Sequence, residues 1–328
     1  MTTKILSTGI GLPENEIKNE ELSNIVRNFD SAIAKSTLDQ WIQNHYGIKR
    51  RRWLTDIALP SELAYTACLQ ALKRASVNIK EVDFLILNTV YGDFTQPTTA
   101  TTVQKLLGMK PGSFAFEINM PCSGPIFSLV TAHQFLLSGR YKHGLIVGVD
   151  KMSSCIDKKD FIMAGLFGDG AGACLLAPST KGIIDYYLSS SGEDYNDMAL
   201  SIPGGRSMHP EPSKEFPIQL LMNGKKVEHF IDTCFHDIQV NLLNKSDKQI
   251  DFVVPHQASL KAIEKNALKI GIAKEKIIST IEDYGNTSSA SIFITLDKLL
   301  NSFDIQEKTI FLAGMGGGLN WGGLLYSH

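Results

Sequence analysis

SFAFEINMPCSGPIFSLVTAHQFLL, residues 113–137, is the stretch from which the fold can be read. A β-rich run, Ser113 to Asn119, stops at a turn of small residues and prolines. A strongly apolar helix then starts near Gly124 and reaches Ser138. Pro125 falls in the first turn of that helix, where its missing N–H removes no intrahelical hydrogen bond. A strand that feeds a helix through so tight a turn is the building unit of an α/β fold.

The same alternation extends in both directions. Strands are expected at Lys4 to Ile10, Phe84 to Val90, His143 to Val149 and Ala171 to Leu176, with helices at Glu62 to Ala75 and Thr99 to Leu107. The second half repeats the plan: a strand at Gly182 to Ser189, a long helix at Leu221 to Leu243, a strand at Asp251 to Pro255 and a helix at Ser259 to Ile270. It closes with IISTI, a helix at Ser289 to Leu300 and two strands around TIFLAGMGGGLNWGGLLY. The matching order points to an internal duplication joined near Pro178 to Gly182, with halves 1–178 and 179–328 packed as one body. Residues 190 to 220, crowded with Gly, Pro, Ser and charges, read as a long surface excursion.

Of the 328 residues, 43% are hydrophobic and 20% charged, and the formal charge is -2. That composition is ordinary for a globular chain and gives no global attraction to nucleic acid or to an anionic membrane. MTTKILSTGIGLPEN lacks the apolar stretch of a secretory signal, and no segment approaches the roughly 18 apolar residues of a membrane span, so a cytoplasmic protein is expected. Five scattered cysteines (68, 122, 155, 174 and 234), none in a C-x-x-C pair, point to free thiols rather than to disulfides or a zinc site.

Cys122 is the thiol with a chemical context. At the start of a helix, unpaired N–H groups and the positive end of the helix dipole favour thiolate, the reactive form. A small buried hydrophobe would also fit there, as it would at Cys68 and Cys174. His256, in DFVVPHQAS, directly follows an apolar strand, so its imidazole is expected at the carboxyl edge of a sheet, where ligands bind. Asn286, in EDYGNTSSASIF, stands at a turn into a helix and could be a simple cap. Gly316, Gly317 and Gly318 interrupt an apolar strand region, marking either a tight turn or a place where another group approaches bare backbone. These four loci occupy corresponding strand-to-helix junctions, which would let them converge on one pocket.

PCSG at Cys122, VPHQAS at His256, GNTSSAS at Asn286 and GGGLNWG near residue 320 resemble, in order and spacing, the signature segments of ketoacyl-ACP synthase III. TLDQWI with YGIKRR and the segment FGDGAGA extend the resemblance over essentially the whole chain. It implies a thiolase-like α/β fold, two duplicated βαβαβαββ halves forming a layered α-β-α-β-α body. It also implies an acyltransferase that condenses an acyl thioester with malonyl-ACP, losing carbon dioxide. Carried over residue by residue, Cys122 takes the acyl group, the backbone N–H groups of Cys122 and Gly317 form the oxyanion hole, and His256 with Asn286 stabilises the enolate.

No metal, flavin or nicotinamide is implied. Acyl groups would arrive on the phosphopantetheine of coenzyme A or acyl carrier protein, and a homodimer is implied. Thr37 and Trp41 fall in the segment expected to meet the coenzyme. Lys261, Lys265 and Lys269, at i, i+4 and i+8, form a stripe that would suit an acidic carrier protein, although such stripes are usually plain solvated faces. The run Lys49, Arg50, Arg51, Arg52 raises the same choice. His45 and Phe161 stand where well-known relatives use arginines, which leaves the donor open between coenzyme A and carrier protein. Gln96 replaces an apolar residue that in many relatives reaches the partner subunit's acyl pocket, so chain length cannot be borrowed from them.

Three other readings compete. One is a relative that primes a specialised lipid or polyketide or only transfers acyl groups. Another is a papain-like hydrolase, which orders Cys, His and Asn alike but lacks its local motif here. The third is a silent supporting subunit, which the intact Cys122, His256 and Asn286 argue against.

Overall fold

The computed structural model describes residues 1–193, 198–201, 219–222 and 224–328. Two sheets organise it. In the first half the strands are β1 (Thr2–Gly11), β2 (Phe84–Asn88), β3 (Phe114–Ile118), β4 (Gly144–Asp150) and β5 (Gly170–Ser179), in the spatial order β1–β5–β4–β2–β3. In the second they are β6 (Ile183–Ser190), β7 (Phe252–Pro255), β8 (Thr309–Gly316) and β9 (Asn320–Ser327), in the order β7–β8–β9–β6. Eight helices bear on the argument: α1 (Leu38–Tyr46), α2 (Pro60–Ala75), α3 (Thr99–Leu107), α4 (Gly124–Leu137), α5 (Phe161–Leu166), α6 (Gly224–Asn241), α7 (Leu260–Lys269) and α8 (Ser291–Ser302).

The duplication is written in the pairing. β1 runs antiparallel to β5, β5 antiparallel to β4, and β4 parallel to β2; β6, β9, β8 and β7 repeat that sequence of senses. The counterpart of β3 is reduced to a single parallel bridge, Val253 to Ile277, made by the IISTI segment. The expected division at 178/179 falls on the last residues of β5.

α4 and α8 lie between the sheets, and α2 and α3 cover one outer face while α6 and α7 cover the other. The inner layer is apolar almost all round because both of its faces are buried. Ile126, Leu129 and Leu136 of α4 and Phe293 and Leu296 of α8 are at most 2% exposed. Each such side chain contributes about 1.5–3 kcal/mol relative to exposure. Close packing there needs bare backbone: a Cβ at Gly172 would sit 2.6 Å from Phe293 Cβ, and one at Gly314 3.0 Å from Ser123 Cα.

The sequence reading needs correction in several places. The helix expected from Leu221 begins at Gly224, because Leu221 and Met222 belong to a short strand, Gln219–Met222, paired antiparallel with Met198–Ser201. That ladder lies inside the expected excursion, whose remaining residues 194–197 and 202–218 are outside the described ones. A second ribbon, Glu16–Lys18 with Arg50–Arg52, also went unread, since a run of basic residues carries no strand periodicity. α5 is too short to show one.

Candidate active site

The turn between β3 and α4 delivers Cys122. Ser123 is the N-cap of α4 but offers no side-chain capping bond, and Gly124 N–H closes the turn onto Pro121 O at 2.7 Å. Cys122 is 9% exposed and donates its thiol hydrogen to Ser288 Oγ, 3.8 Å away. Burial pushes its pKa up to about 12, with the Ser288 bond pulling the other way. The buried turn therefore holds a thiol at rest, and desolvation outweighs the pull expected from the helix N-terminus. The other four cysteines are also buried, free and pushed up by burial.

The second half brings three segments to the same place. β8 ends at Gly316, where a Cβ would lie 3.0 Å from Cys122 N and 3.2 Å from Cys122 Cβ. Gly318, at φ +141°, belongs to the turn into β9, and a Cβ there would strike Asn320 Nδ2 at 1.9 Å. Both readings of the glycines are therefore met, a tight turn and a close approach. Asn320 Nδ2 donates to Gly317 O at 3.1 Å. Among the described residues, neither Cys122 N–H nor Gly317 N–H donates to a backbone carbonyl in these turns.

Asn286 is gripped through its backbone by the end of α5 and the turn after it: its N–H donates to Leu166 O at 2.9 Å and its carbonyl accepts from Gly168 N–H at 3.1 Å. Its Oδ1 accepts from Ser288 N–H at 2.9 Å, which turns the amide's donor end, Nδ2, away from that bond. Ser288 holds φ at +48°, a left-handed conformation that costs a non-glycine residue about 1–3 kcal/mol and is retained where a site requires it.

His256 follows β7 and is anchored by its N–H to Ala313 O at 2.7 Å. The ring is 4% exposed, burial drives its pKa down to about 3, and Nδ1 lies 2.8 Å from Ser291 Oγ. It is a neutral imidazole at any ordinary pH. Gln257 is a clamp: its Oε1 accepts from Ser279 Oγ, Thr280 N–H and Ile281 N–H at 2.8, 3.0 and 3.2 Å.

Sequence reasoning missed Asp150, Ser288 and Ser291. Asp150 ends β4 fully buried and accepts from Thr89 Oγ1 (2.9 Å), Val90 N–H (2.8 Å) and Ser289 N–H (2.9 Å), stitching the two halves beneath Cys122. Burial raises its pKa against those bonds. A carboxylate closing the apolar run GLIVGVD was the available signal. The two serines sat in plain view within GNTSSAS but resembled ordinary helix-start residues.

The outer residues divide. Trp41 is stacked on His45, with ring centroids 3.9 Å apart, and meets the edge of Phe161 at 4.8 Å, so aromatic neighbours already cover much of the ring. Thr37 is the N-cap of α1, its hydroxyl accepting from Gln40 N–H at 3.2 Å, so that oxygen is engaged inside the chain. Lys265 pairs with Glu228 and Asp232 at 3.0 and 3.3 Å, and Lys269 with Asp232 at 2.7 Å, so α6 neutralises most of the expected stripe. Lys261 forms no ion pair among the described residues. It follows Leu260, against which a Cβ at Gly47 would press at 2.7 Å, next to the end of α1.

The arginines of the basic run have partners within the fold. Arg51 is fully buried, donating to Gly165 O at 2.8 Å, while Arg50 pairs with Asp283 at 2.7 Å and Arg52 with Glu16 at 3.2 Å. Among the described residues no cluster of three His, Cys, Asp or Glu could hold a metal ion, and no helix is long and apolar enough to cross a membrane.

Two family models match the chain: 3-oxoacyl-[acyl-carrier-protein (ACP)] synthase III over residues 116–192, and the C-terminal model of the same name over 242–328. The beta-ketoacyl-[acyl-carrier-protein] synthase III of Oceanobacillus iheyensis is 34% identical over 98% of this chain and 97% of its own. Synthase III 1 of Halalkalibacterium halodurans is 36% identical over 92% and 93%. Among solved structures, the 3-oxoacyl-[acyl-carrier-protein] synthase III of Aquifex aeolicus superposes with a TM-score of 0.87 at 32% identity, covering 99% of this chain and all of that one.

Proposed function

The chain belongs to the 3-oxoacyl-[acyl-carrier-protein (ACP)] synthase III family, and from that premise we propose how its residues share the work of an acyltransferase-type condensing enzyme. Its fold is the thiolase-like one of that family. The observation that carries the assignment is the contact of Cys122 Sγ with Ser288 Oγ, because Ser288 N–H also holds the amide of Asn286.

Cys122 sulfur attacks the carbonyl carbon of an acyl thioester. The carbon–sulfur bond to the carrier breaks, the carrier leaves as a free thiol with the proton Cys122 gives up, and the acyl group remains on Cys122. The N–H groups of Cys122 and Gly317 face the oxyanion of that step, a reading supported by their lack of backbone acceptors and by the approach of Gly316 to Cys122 N. Malonyl-ACP then enters. Donors on His256 and Asn286 bind its thioester oxygen as carbon dioxide departs and the released electron pair forms an enolate. The enolate carbon attacks the acyl carbonyl, and Cys122 leaves as thiolate and is reprotonated. A neutral imidazole fits this role, since it donates one hydrogen bond without carrying charge.

The partners are acyl carrier protein and the acyl thioester of coenzyme A or carrier protein. Lys261 is the residue of the α7 stripe best placed to meet an acidic carrier; Trp41 borders the same region through the packing of α1 on Leu260. A homodimer is supported by β3, a sheet edge whose five residues are all half-buried with Phe114 and Phe116 among them. The halves 1–178 and 179–328 supply the nucleophile and the His–Asn pair respectively, and the enzyme works in the cytoplasm.

Intact-protein mass spectrometry with a panel of acyl-CoA and acyl-ACP donors, followed by malonyl-ACP, tests the proposal. A mass gain located at Cys122 and discharged with release of carbon dioxide is expected and names the starter. An acyl gain that malonyl-ACP cannot discharge would replace condensation by simple acyl transfer.

A further inference from the structure

The structure assigns Ser291 a positioning role for the reaction: its hydroxyl donates to His256 Nδ1 and so keeps the imidazole proton on Nε2. This rests on the proposed role of His256 as a hydrogen-bond donor to the malonyl thioester.

Ser291 is the first residue of α8 and is 1% exposed. Its hydroxyl does not cap the helix; its hydrogen-bond partner is His256 Nδ1 at 2.8 Å. Two arrangements share that distance. If Nδ1 carried the proton, it would donate to Ser291 Oγ, the serine hydrogen would be left buried without an acceptor, and Nε2 would be a bare lone pair. If the serine donates instead, every buried donor of the pair is satisfied, and the one open donor is Nε2–H at the site.

The cost of an unsatisfied buried donor selects the second arrangement, a bias of roughly ten- to a hundredfold between tautomers. Backbone anchoring completes the fixing of the ring. His256 N–H is held by Ala313 O, and Ser291 lies one helical turn beyond Ser288, the residue bonded to Cys122 and to the Asn286 amide. One short segment thus sets the donor ends of both His256 and Asn286.

The test combines nitrogen NMR of enzyme labelled at histidine with separate assays of Cys122 acylation and of condensation. Wild type is expected to show His256 protonated at Nε2 with Nδ1 as an acceptor. Ser291→Ala should populate both tautomers and lower kcat for condensation by about tenfold, with acylation and the malonyl-ACP KM changed by less than about twofold. Ser291→Thr, which keeps the hydroxyl, should recover most of the lost rate. A pure Nε2–H tautomer persisting in Ser291→Ala overturns the assignment, as does a parallel loss of acylation and condensation. Full condensation by His256→Ala would instead overturn the reading on which it rests, whatever the tautomer.

Discussion

Cys122 and Ser288 stand 166 positions apart in sequence, yet the thiol of one donates to the hydroxyl of the other at 3.8 Å. The contact joins the turn into α4 with the turn into α8, the two inner helices of a duplicated fold. When the sulfur ionises, the Ser288 hydroxyl can turn to donate to the thiolate, and that bond is the larger of two that pull the Cys122 pKa down against burial.

Ser288→Ala should therefore make the thiolate scarcer. At fixed pH, alkylation of Cys122 by iodoacetamide and its acylation by substrate should both slow by about three- to tenfold, with the circular dichroism spectrum unchanged. Equal rates in the variant and wild type would show that the serine does not tune the thiol.

The remaining cysteines are predicted to be bystanders. Cys122→Ser should keep the fold and lose acyl transfer by at least about a thousandfold, because an alkoxide is far harder to form than a thiolate. Cys155→Ser and Cys234→Ser, each placing a hydroxyl in a fully buried site, should cost about 1–3 kcal/mol of stability yet retain acyl transfer. Similar losses from all three would remove Cys122 from its assigned role.

His256 gives stability a pH dependence whose sign is fixed by its environment. Its pKa is about 3 in the folded chain and roughly 6.5 when unfolded, so between those values the unfolded chain binds the extra proton. The contribution is fully present above about pH 6.5 and is lost as pH falls toward 3, amounting to a few kcal/mol, on the order of magnitude that linkage allows. Denaturant titrations of wild type and His256→Asn from pH 7 to pH 4 should show the steeper decline in wild type. Parallel slopes would place the imidazole in water.

Arg51 and Lys261 should behave as opposites despite sharing a charge. Arg51→Met leaves Gly165 O without its donor inside the fold and should cost about 2–4 kcal/mol, with the carrier-protein KM unaltered at a permissive temperature. Lys261→Glu should leave stability within about 0.5 kcal/mol and raise that KM by about three- to tenfold, more at low salt. A KM shift in Arg51→Met alone would relocate the carrier site.

What the sequence disclosed and what it hid follow from how far each signal reaches. The strand–turn–helix at Cys122 and the strand before His256 are local patterns of period and punctuation, so their elements lie within a residue or two of expectation. Arg51 was read as a surface charge because a run of four basic residues is usually solvated; only the return of α5 and the Ile17 strand over it makes it a buried donor. Lys265 and Lys269 were read as a free stripe because their neutralising carboxylates, Glu228 and Asp232, lie on another helix. Asp150, Ser288 and Ser291 act through partners on distant segments, and a single sequence does not pair such residues.

β9 lies between β6 and β8, although it is the last of the three in sequence. During synthesis β6 emerges long before its only neighbour in the sheet, and it must wait with one row of N–H and C=O groups unpaired. The Gly316–Gly318 turn closes only when β9 folds back on β8, so a nascent chain stalled before that point holds Cys122 without the backbone that faces it. Catalytic competence therefore arrives with the closing of the second sheet.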